Sequence, residues 1–439
     1  MFQTIKNAWN VPELRKKILF TLLIILLYRL GANIPVPYVS GEVVNSFSQM
    51  AAGSIFQFMN ILSGDAFAKA TLFALSVSPY ITSSIVIQLL TVAIPALERM
   101  SKDEEGKKKI TTITRVVTVA LALVTAYGYA KILESYQMLS FAKGDDGYVF
   151  KYAVIIACFC AGAALIMWLA EKINEFGIGN GISMILFANI IASLPTTAMN
   201  LISMMFDSGK FKWTGLVTAI VTTVVILAVV VFVVWFTNSE RRIPVQYAKR
   251  VVGRKMYGGQ SSNLPLKLNM TGVMPIIFAN SIVAIPATIA AFFPKAKWLS
   301  WINEHFNFYT WPYLVVFLVL IIAFAYFYTL ISFNPVEVSN NIRDNGGAVP
   351  GIRPGKPTAQ YIQKILNRIT LIGAIFLCVV SGLPMLVTII DYAIHDGSLT
   401  LGALAFGGSS LLIVVGVALE TMHELEAQLT MRNYKGFLD

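Results

Sequence analysis

The chain has 439 residues, of which 56% are hydrophobic and 13% charged, and a formal net charge of +11. Soluble domains carry about a quarter charged residues, and a single globular core stops growing at roughly 250–300 residues; a soluble globular protein is excluded. The polar residues fall in blocks between apolar runs of about 20 residues, the length that crosses a ~30 Å hydrocarbon core as a helix.

Ten such runs follow one another, at roughly 18–37, 71–94, 110–131, 151–171, 181–203, 213–237, 271–293, 311–333, 367–389 and 400–419. The first is preceded by Arg15, Lys16 and Lys17, in the manner of a signal peptide, and Ile18–Tyr28 supplies the apolar stretch. No small-x-small cleavage site follows, and the run continues through Arg29 to Ile34-Pro35-Val36-Pro37, so it reads as a retained first span. Arg29 is the one charge well inside a run, close enough to its end to snorkel or pair, and a structural role fits it. Between the first and second spans lies Ser54–Ala70, with Ile55, Phe56, Phe58, Met59, Ile61 and Leu62. It is too short to span and too apolar for a free loop. A re-entrant half-inserted helix and a surface-lying amphipathic helix fit its composition equally.

Further along, Cys158, Cys160 and Cys378 all sit within apolar runs, which suits core filler and neither a disulfide framework nor a zinc site. The stretch Gly177-Ile178-Gly179-Asn180-Gly181 joins the fourth and fifth runs and lacks the Lys-Ser/Thr of a phosphate loop. Two later loops exceed 30 residues. Residues 238–270 hold Arg241, Arg242, Lys249, Arg250, Arg254, Lys255 and Lys267, and residues 334–366 hold Arg343, Arg353, Lys356 and Lys364. Connections are ordinarily about 4–6 residues, so loops of this length point to protruding structures with a task. Their basic residues alternate with turn formers such as Gly258-Gly259 and Pro350-Gly351, which favours docking of a protein over a polybasic strip on anionic lipid.

Of the 34 Lys and Arg residues, 25 fall in the N-terminus, the even-numbered loops and the C-terminal tail, and 8 in the odd-numbered loops and their flanks. The positive-inside rule then puts both termini and the long loops in the cytoplasm. It also accounts for the net charge without nucleic-acid binding.

No catalytic constellation is present. His305, His395 and His423 lie in loops or the tail, and His423-Glu424 lacks the rest of a zincin motif. Glu171 and Glu420 sit at span ends, and no carboxylate occupies a midplane position, where coupled carriers usually keep one. An enzyme is disfavoured, and a secondary transporter of a small solute is the chief alternative to the reading that follows. A pathway lined by apolar and small polar groups suits a conduit that seals when idle and accepts varied cargo.

Seven stretches carry a resemblance. They are Ser78-Pro79-Tyr80-Ile81-Thr82-Ser83-Ser84-Ile85-Val86-Ile87-Gln88-Leu89-Leu90, Gly177-Ile178-Gly179-Asn180-Gly181-Ile182-Ser183, Tyr247-Ala248-Lys249-Arg250, Leu264-Pro265-Leu266-Lys267, Phe333-Asn334-Pro335, Val349-Pro350-Gly351-Ile352-Arg353-Pro354-Gly355 and Phe406-Gly407-Gly408-Ser409-Ser410-Leu411-Leu412-Ile413. In this order, and across nearly the whole chain, they resemble the SecY family, the central channel subunits of the bacterial Sec translocase.

The resemblance implies an all-α polytopic membrane protein with ten transmembrane helices in two pseudo-symmetric five-helix halves, 1–205 and 206–439, with a hinge near 206–212. It implies a channel that moves unfolded secretory polypeptides across the cytoplasmic membrane and passes membrane proteins sideways into lipid, without a cofactor or metal. A pore ring would fall on Val77, Ile81, Ile182, Leu186, Ile277 and Ile413. Val77/Ile81 and Ile182/Leu186 are i, i+4 pairs on one helix face, as a ring requires. Residues 54–70, with the apolar residues named above, would be the plug. The lateral gate would lie between the second and seventh spans, lined by Thr82, Ser83, Ser84 and Gln88 against Asn280, Ser281 and Ile285. The expected partners are SecE- and SecG-type small membrane subunits, the SecA motor ATPase, the ribosome, signal peptides and nascent chains, and anionic lipids. SecA and the ribosome would dock on Arg353, Arg254, Lys255, Arg250 and Lys356.

Overall fold

The computed structural model describes residues 2–39, 59–60, 62–141, 145–203, 206–207, 210–211, 213–247, 250–252, 255–257, 261–292, 310–395 and 402–435. A short helix α1 (Phe2–Asn10) leads into α2 (Pro12–Gly31), whose Pro12 stands in the first turn, where its missing N–H forfeits no helical bond. Helix α3 (Ser78–Ala93) covers only the inner part of the second apolar run, because residues 64–77 form successive turns, with Ala70 and Ser76 at positive φ. Ile94-Pro95 ends α3, and α4 (Pro95–Lys102) leaves at 104° to it, as expected where proline removes a helical donor and forces its predecessor into extended backbone. Helix α5 (Glu104–Ser135) begins with Glu104 and Glu105, two anions at the positive end of its dipole. Then come α6 (Tyr148–Phe176) and α7 (Gly181–Ser203), and a short hairpin of β1 (Phe206–Asp207) and β2 (Lys210–Phe211).

Helix α8 (Trp213–Thr237) opens the second set of helices. Only 18% of its apolar window is buried, so it lies at the periphery with most of its Val, Leu and Ile side chains turned outward. After the strands described below come α9 (Met274–Phe292), α10 (Trp311–Ser332), α11 (Pro335–Asp344), α12 (Lys356–His395) and α13 (Gly402–Lys435). Ten of these helices coincide with the ten apolar runs, five before the β1–β2 hairpin and five after it. Five are each long and apolar enough to cross a membrane alone, and the bent α3–α4 pair makes a sixth. The protein is a mostly helical, multi-span membrane protein.

Two apolar clusters organise the bundle. The central one joins both sets of helices, with Tyr28, Ile81, Ile185, Leu186, Phe278, Phe317, Leu377 and Leu412 among its buried members. The second lies between α5, α6 and residues 66–75, around Phe67, Tyr129, Leu133, Ile155 and Phe159. There the chain passes so close to α6 that a Cβ on Gly162 would lie 1.9 Å from the Leu72 carbonyl oxygen.

The two long basic loops are one folded unit, which the sequence reading did not anticipate. Strand β3 (Glu240–Tyr247) pairs antiparallel with β6 (Ser261–Lys267), from Glu240 opposite Lys267 to Gln246 opposite Ser261. Between them, β4 (Arg250–Val252) and β5 (Lys255–Tyr257) form a second antiparallel pair. On the other edge of β3 lies β7 (Gly347–Ala348), contributed by the second loop, with Gln246 opposite Ala348. Ile243, Val245 and Leu266 from the first loop pack with Ile342 and Val349 from the second, and with Ile362, Leu366 and Ile369 of α12. A small apolar core therefore anchors a β platform on the long helix α12.

Candidate functional site

The six residues of the expected ring come from α3 and its preceding turn, α7, α9 and α13. Val77, Ile81, Leu186, Ile277 and Ile413 are all buried in the central cluster, and Ile182 packs against it half-buried. The Ile81 amide bonds to the Val77 carbonyl at 3.0 Å, so α3 starts from Val77 and holds this pair one turn apart. Helix α9 packs on α3, and α13 packs on α7. Aliphatic side chains from four helices thus meet in one water-excluding region. A neck built from these side chains would block ions by dewetting while offering a passing chain no specific bond.

Two polar side chains interrupt this apolar surface. Ser183, beside Ile182, and Asn280, one turn after Ile277, are both buried, and among the described residues the Ser183 Oγ and Asn280 Nδ2 have no hydrogen-bond partner. An unpaired buried donor costs about 1–3 kcal/mol, so a polar group left that way near the centre of a bundle calls for a role.

Residues 62–76 are clasped by a polar network. The Asn189 Nδ2 donates to the Leu62 carbonyl at 2.7 Å and to the Tyr28 hydroxyl at 2.8 Å, and the Ser76 hydroxyl donates to the same Leu62 carbonyl at 3.1 Å. Arg29 reaches the Gly64 carbonyl at 3.3 Å and the Ala188 carbonyl at 3.2 Å, linking α2 to α7 through this segment. The structural role expected for Arg29 is thereby given its partners. The segment is also bonded to itself, with Asn60 Oδ1 accepting from the Ala68 amide and Ser63 Oγ from the Phe67 amide. Of the expected plug residues, Met59 packs on the second cluster and Leu62 on the central one, while Ile55, Phe56, Phe58 and Ile61 lie outside the described residues. Asn189, Tyr28 and Ser76 escaped the sequence reading. The available signal was an Asn in the middle of an apolar run, since polar groups there are retained for a partner.

At the expected side gate, α9 lies against α3, α5 and α10. The small hydroxyls do not bridge this seam. Thr82 bonds to the Ser78 carbonyl and Ser281 to the Ile277 carbonyl, each within its own helix, and Ser83 donates to the Thr114 carbonyl of α5 at 2.8 Å. These bonds spend the hydroxyls on nearby carbonyls, a common use of Ser and Thr in apolar helices. The ring of Tyr328 on α10 leans on Phe278 of α9 at 5.3 Å between centroids. Ile285 is 41% exposed.

On the platform, Arg353 is exposed and its backbone is fixed on both sides. Gly351 and Gly355 take φ of 80° and 96°, the Thr358 hydroxyl bonds to the Arg353 carbonyl at 2.8 Å, and Ser339 bonds to the Gly355 carbonyl at 2.8 Å. Positive φ favours glycine, because other residues bring Cβ against the backbone. Lys356 is exposed at the start of α12, and Arg250 and Lys255 lie on the β4–β5 pair. Arg254 lies outside the described residues.

These features meet a consistent set of relatives. A family model of SecY matches residues 71–422. The protein translocase subunit SecY of Streptomyces galbus is 41% identical over 448 residues, covering all of both chains. That of Thermus thermophilus is 39% identical, covering 100% of this chain and 98% of its own. Among solved structures, a protein-conducting channel superposes with a TM-score of 0.63 at 15% identity, over 94% of this chain and 92% of that one. Sec61 in the canine ribosome–channel complex superposes with a TM-score of 0.57 at 15% identity and the same coverage. The family is one of translocation channels, not of enzymes, and its ten-helix fold is the one seen here. The chain belongs to the SecY family.

Proposed function

We propose that the protein conducts unfolded polypeptides through the neck formed by Val77, Ile81, Ile182, Leu186, Ile277 and Ile413, and releases hydrophobic segments between α3 and α9. The observation that carries this reading is the meeting of aliphatic side chains from α3, α7, α9 and α13 in one buried cluster. A solute carrier needs a polar midplane site with a defined stoichiometry of bonds, whereas all six neck positions are aliphatic. The described part of 54–70 sits at the mouth of this neck, held by Asn189 and Arg29, and serves as the base of a plug.

The platform built from β3, β6 and β7 serves as the cytoplasmic dock. Its supports are the exposed Arg353 on a turn held by Gly351, Gly355 and Thr358, and the joining of both basic loops into one body on α12. A ribosome is one occupant, by analogy with the canine complex, and a SecA-type motor ATPase is the other. SecE- and SecG-type subunits cover part of the apolar surface that the helices leave exposed. Both termini then face the cytoplasm of a bacterial cell, with the basic loops against anionic lipid.

Reconstitution tests this reading. Vesicles holding the protein with its small subunits should stimulate the ATPase of the motor and take up a signal-bearing precursor. Uptake of small solutes without motor or ribosome, and no precursor import, would favour the carrier.

A further inference from the structure

Four of the five amides of the Gly177–Gly181 loop are committed. The Gly177 amide bonds to the Ile173 carbonyl at 2.8 Å, the Ile178 amide to the Thr21 hydroxyl of α2 at 3.0 Å, and the Gly181 amide to the Asn174 Oδ1 at 2.7 Å. Asn180 caps α7 by accepting from the Ile182 and Ser183 amides. The loop requires its glycines, since Gly179 takes φ of +81° and a Cβ on Gly181 would lie 1.9 Å from the Ala170 carbonyl oxygen.

A fourth amide, that of Gly179, reaches across to the C-terminal helix and donates to Glu424 Oε2 at 2.9 Å. The other carboxylate oxygen accepts from Gln428 Nε2 at 3.2 Å, and Gln428 Oε1 accepts from Lys17 Nζ of α2 at 3.3 Å. An unbroken path of hydrogen bonds thus runs Lys17–Gln428–Glu424–Gly179 through three elements. Ala8, Leu14, Ile178 and Leu425 form a small apolar cluster of their own at this joint.

The two helices joined here both carry the neck. Helix α7 starts at Gly181 and bears Ile182 and Leu186 in its first two turns; α13 bears Ile413 eleven residues before Glu424, about three turns or ~16 Å along its axis. We propose that Glu424 is a positioning residue of the channel: its carboxylate clamps the Gly177–Gly181 loop to α13 and so sets the approach of Ile182 and Leu186 to Ile413. This rests on the placement of the neck. Loss of the clamp lets α7 and α13 part at their cytoplasmic ends and loosens the neck without touching it.

The test uses the full chain with its small subunits in potassium-loaded vesicles. Three proteins are compared with wild type: Glu424→Ala, Glu424→Gln, and a neck control with Ile81, Ile182 and Leu186 all changed to Ser. Glu424 is exposed, so its replacement leaves the core intact. Glu424→Ala should raise resting ion leak several-fold and admit a precursor with a weakened signal sequence. Glu424→Gln keeps an acceptor oxygen for the Gly179 amide and should stay within about twofold of wild type. A lowered melting temperature of Glu424→Ala with wild-type leak, while the neck control leaks, would overturn the clamp and leave the neck standing. Equal leak from the Ala and Gln variants would also overturn it, since the bond to Gly179 would then be irrelevant. Wild-type leak from the neck control would overturn the neck and the clamp together.

Discussion

Asn189 of α7 and the carbonyl of Leu62 are joined at 2.7 Å by a hydrogen bond that ties the segment before α3 to the wall of the bundle. Asn189 is fully buried, and the same amide nitrogen holds the Tyr28 hydroxyl of α2. Asn189→Leu keeps the volume and removes the donor, leaving the Leu62 carbonyl with the Ser76 hydroxyl alone. The variant should lose about 1–3 kcal/mol of stability, seen as a lower melting temperature in detergent, and should leak ions at rest. Unchanged melting and leak would mean that the clasp holds nothing.

The proposed neck would seal by being dry. Replacing Ile81, Ile182 and Leu186 together by Ser exchanges three aliphatic side chains for hydroxyls and makes the constriction wettable. Single-channel recordings should show resting conductance where the wild type shows none. Wild-type silence from the triple variant would move the seal elsewhere.

The helices were legible in the sequence because the bilayer forces it: a span needs about 20 apolar residues, and each of the ten runs produced a helix. The second run shows the limit. Its outer third is as apolar as the rest, but Ala70 and Ser76 at positive φ and Pro79 in the first helical turn delay α3 until Ser78. The ring residues were placed by family resemblance supported by i, i+4 spacing, and they share one cluster in the fold. The clasp was not legible. Nothing local in the sequence pairs Arg29 with Gly64, 35 residues away, or Asn189 with Leu62, 127 residues away. The β platform was missed for a related reason. Strand β3 alternates only over its second half, with Pro244 inside it, and its second partner β7 is two residues from a different loop.

The platform makes a separable prediction about docking. Arg353 is exposed on a turn fixed by Gly351, Gly355 and Thr358, and it contributes nothing to the apolar core beneath. Arg353→Glu should therefore abolish motor-driven import while leaving the melting temperature within about 0.5 kcal/mol equivalent of wild type. Normal import by this variant in reconstituted vesicles would take the turn out of the mechanism.

The seam between α3 and α9 should open sideways during transport. A Thr82→Cys, Ile285→Cys pair should form a disulfide on oxidation if the two Cα atoms come within about 7 Å. Import of a signal-bearing precursor should stop when the bond closes and resume on reduction. Efficient import with the bond fully formed would place the exit elsewhere.

The central claim is that polypeptide passes through the neck, and a stalled substrate tests it most directly. In a background with Cys158, Cys160 and Cys378 replaced by Ser, a precursor bearing one cysteine and a bulky folded end is arrested midway. Leu186→Cys in the neck is then compared with Val231→Cys on α8, which is 68% exposed on the outer face. The account predicts a disulfide between the arrested chain and position 186, dependent on motor and ATP, and none with position 231. A substrate that cross-links equally to both positions, or to neither, would contradict it.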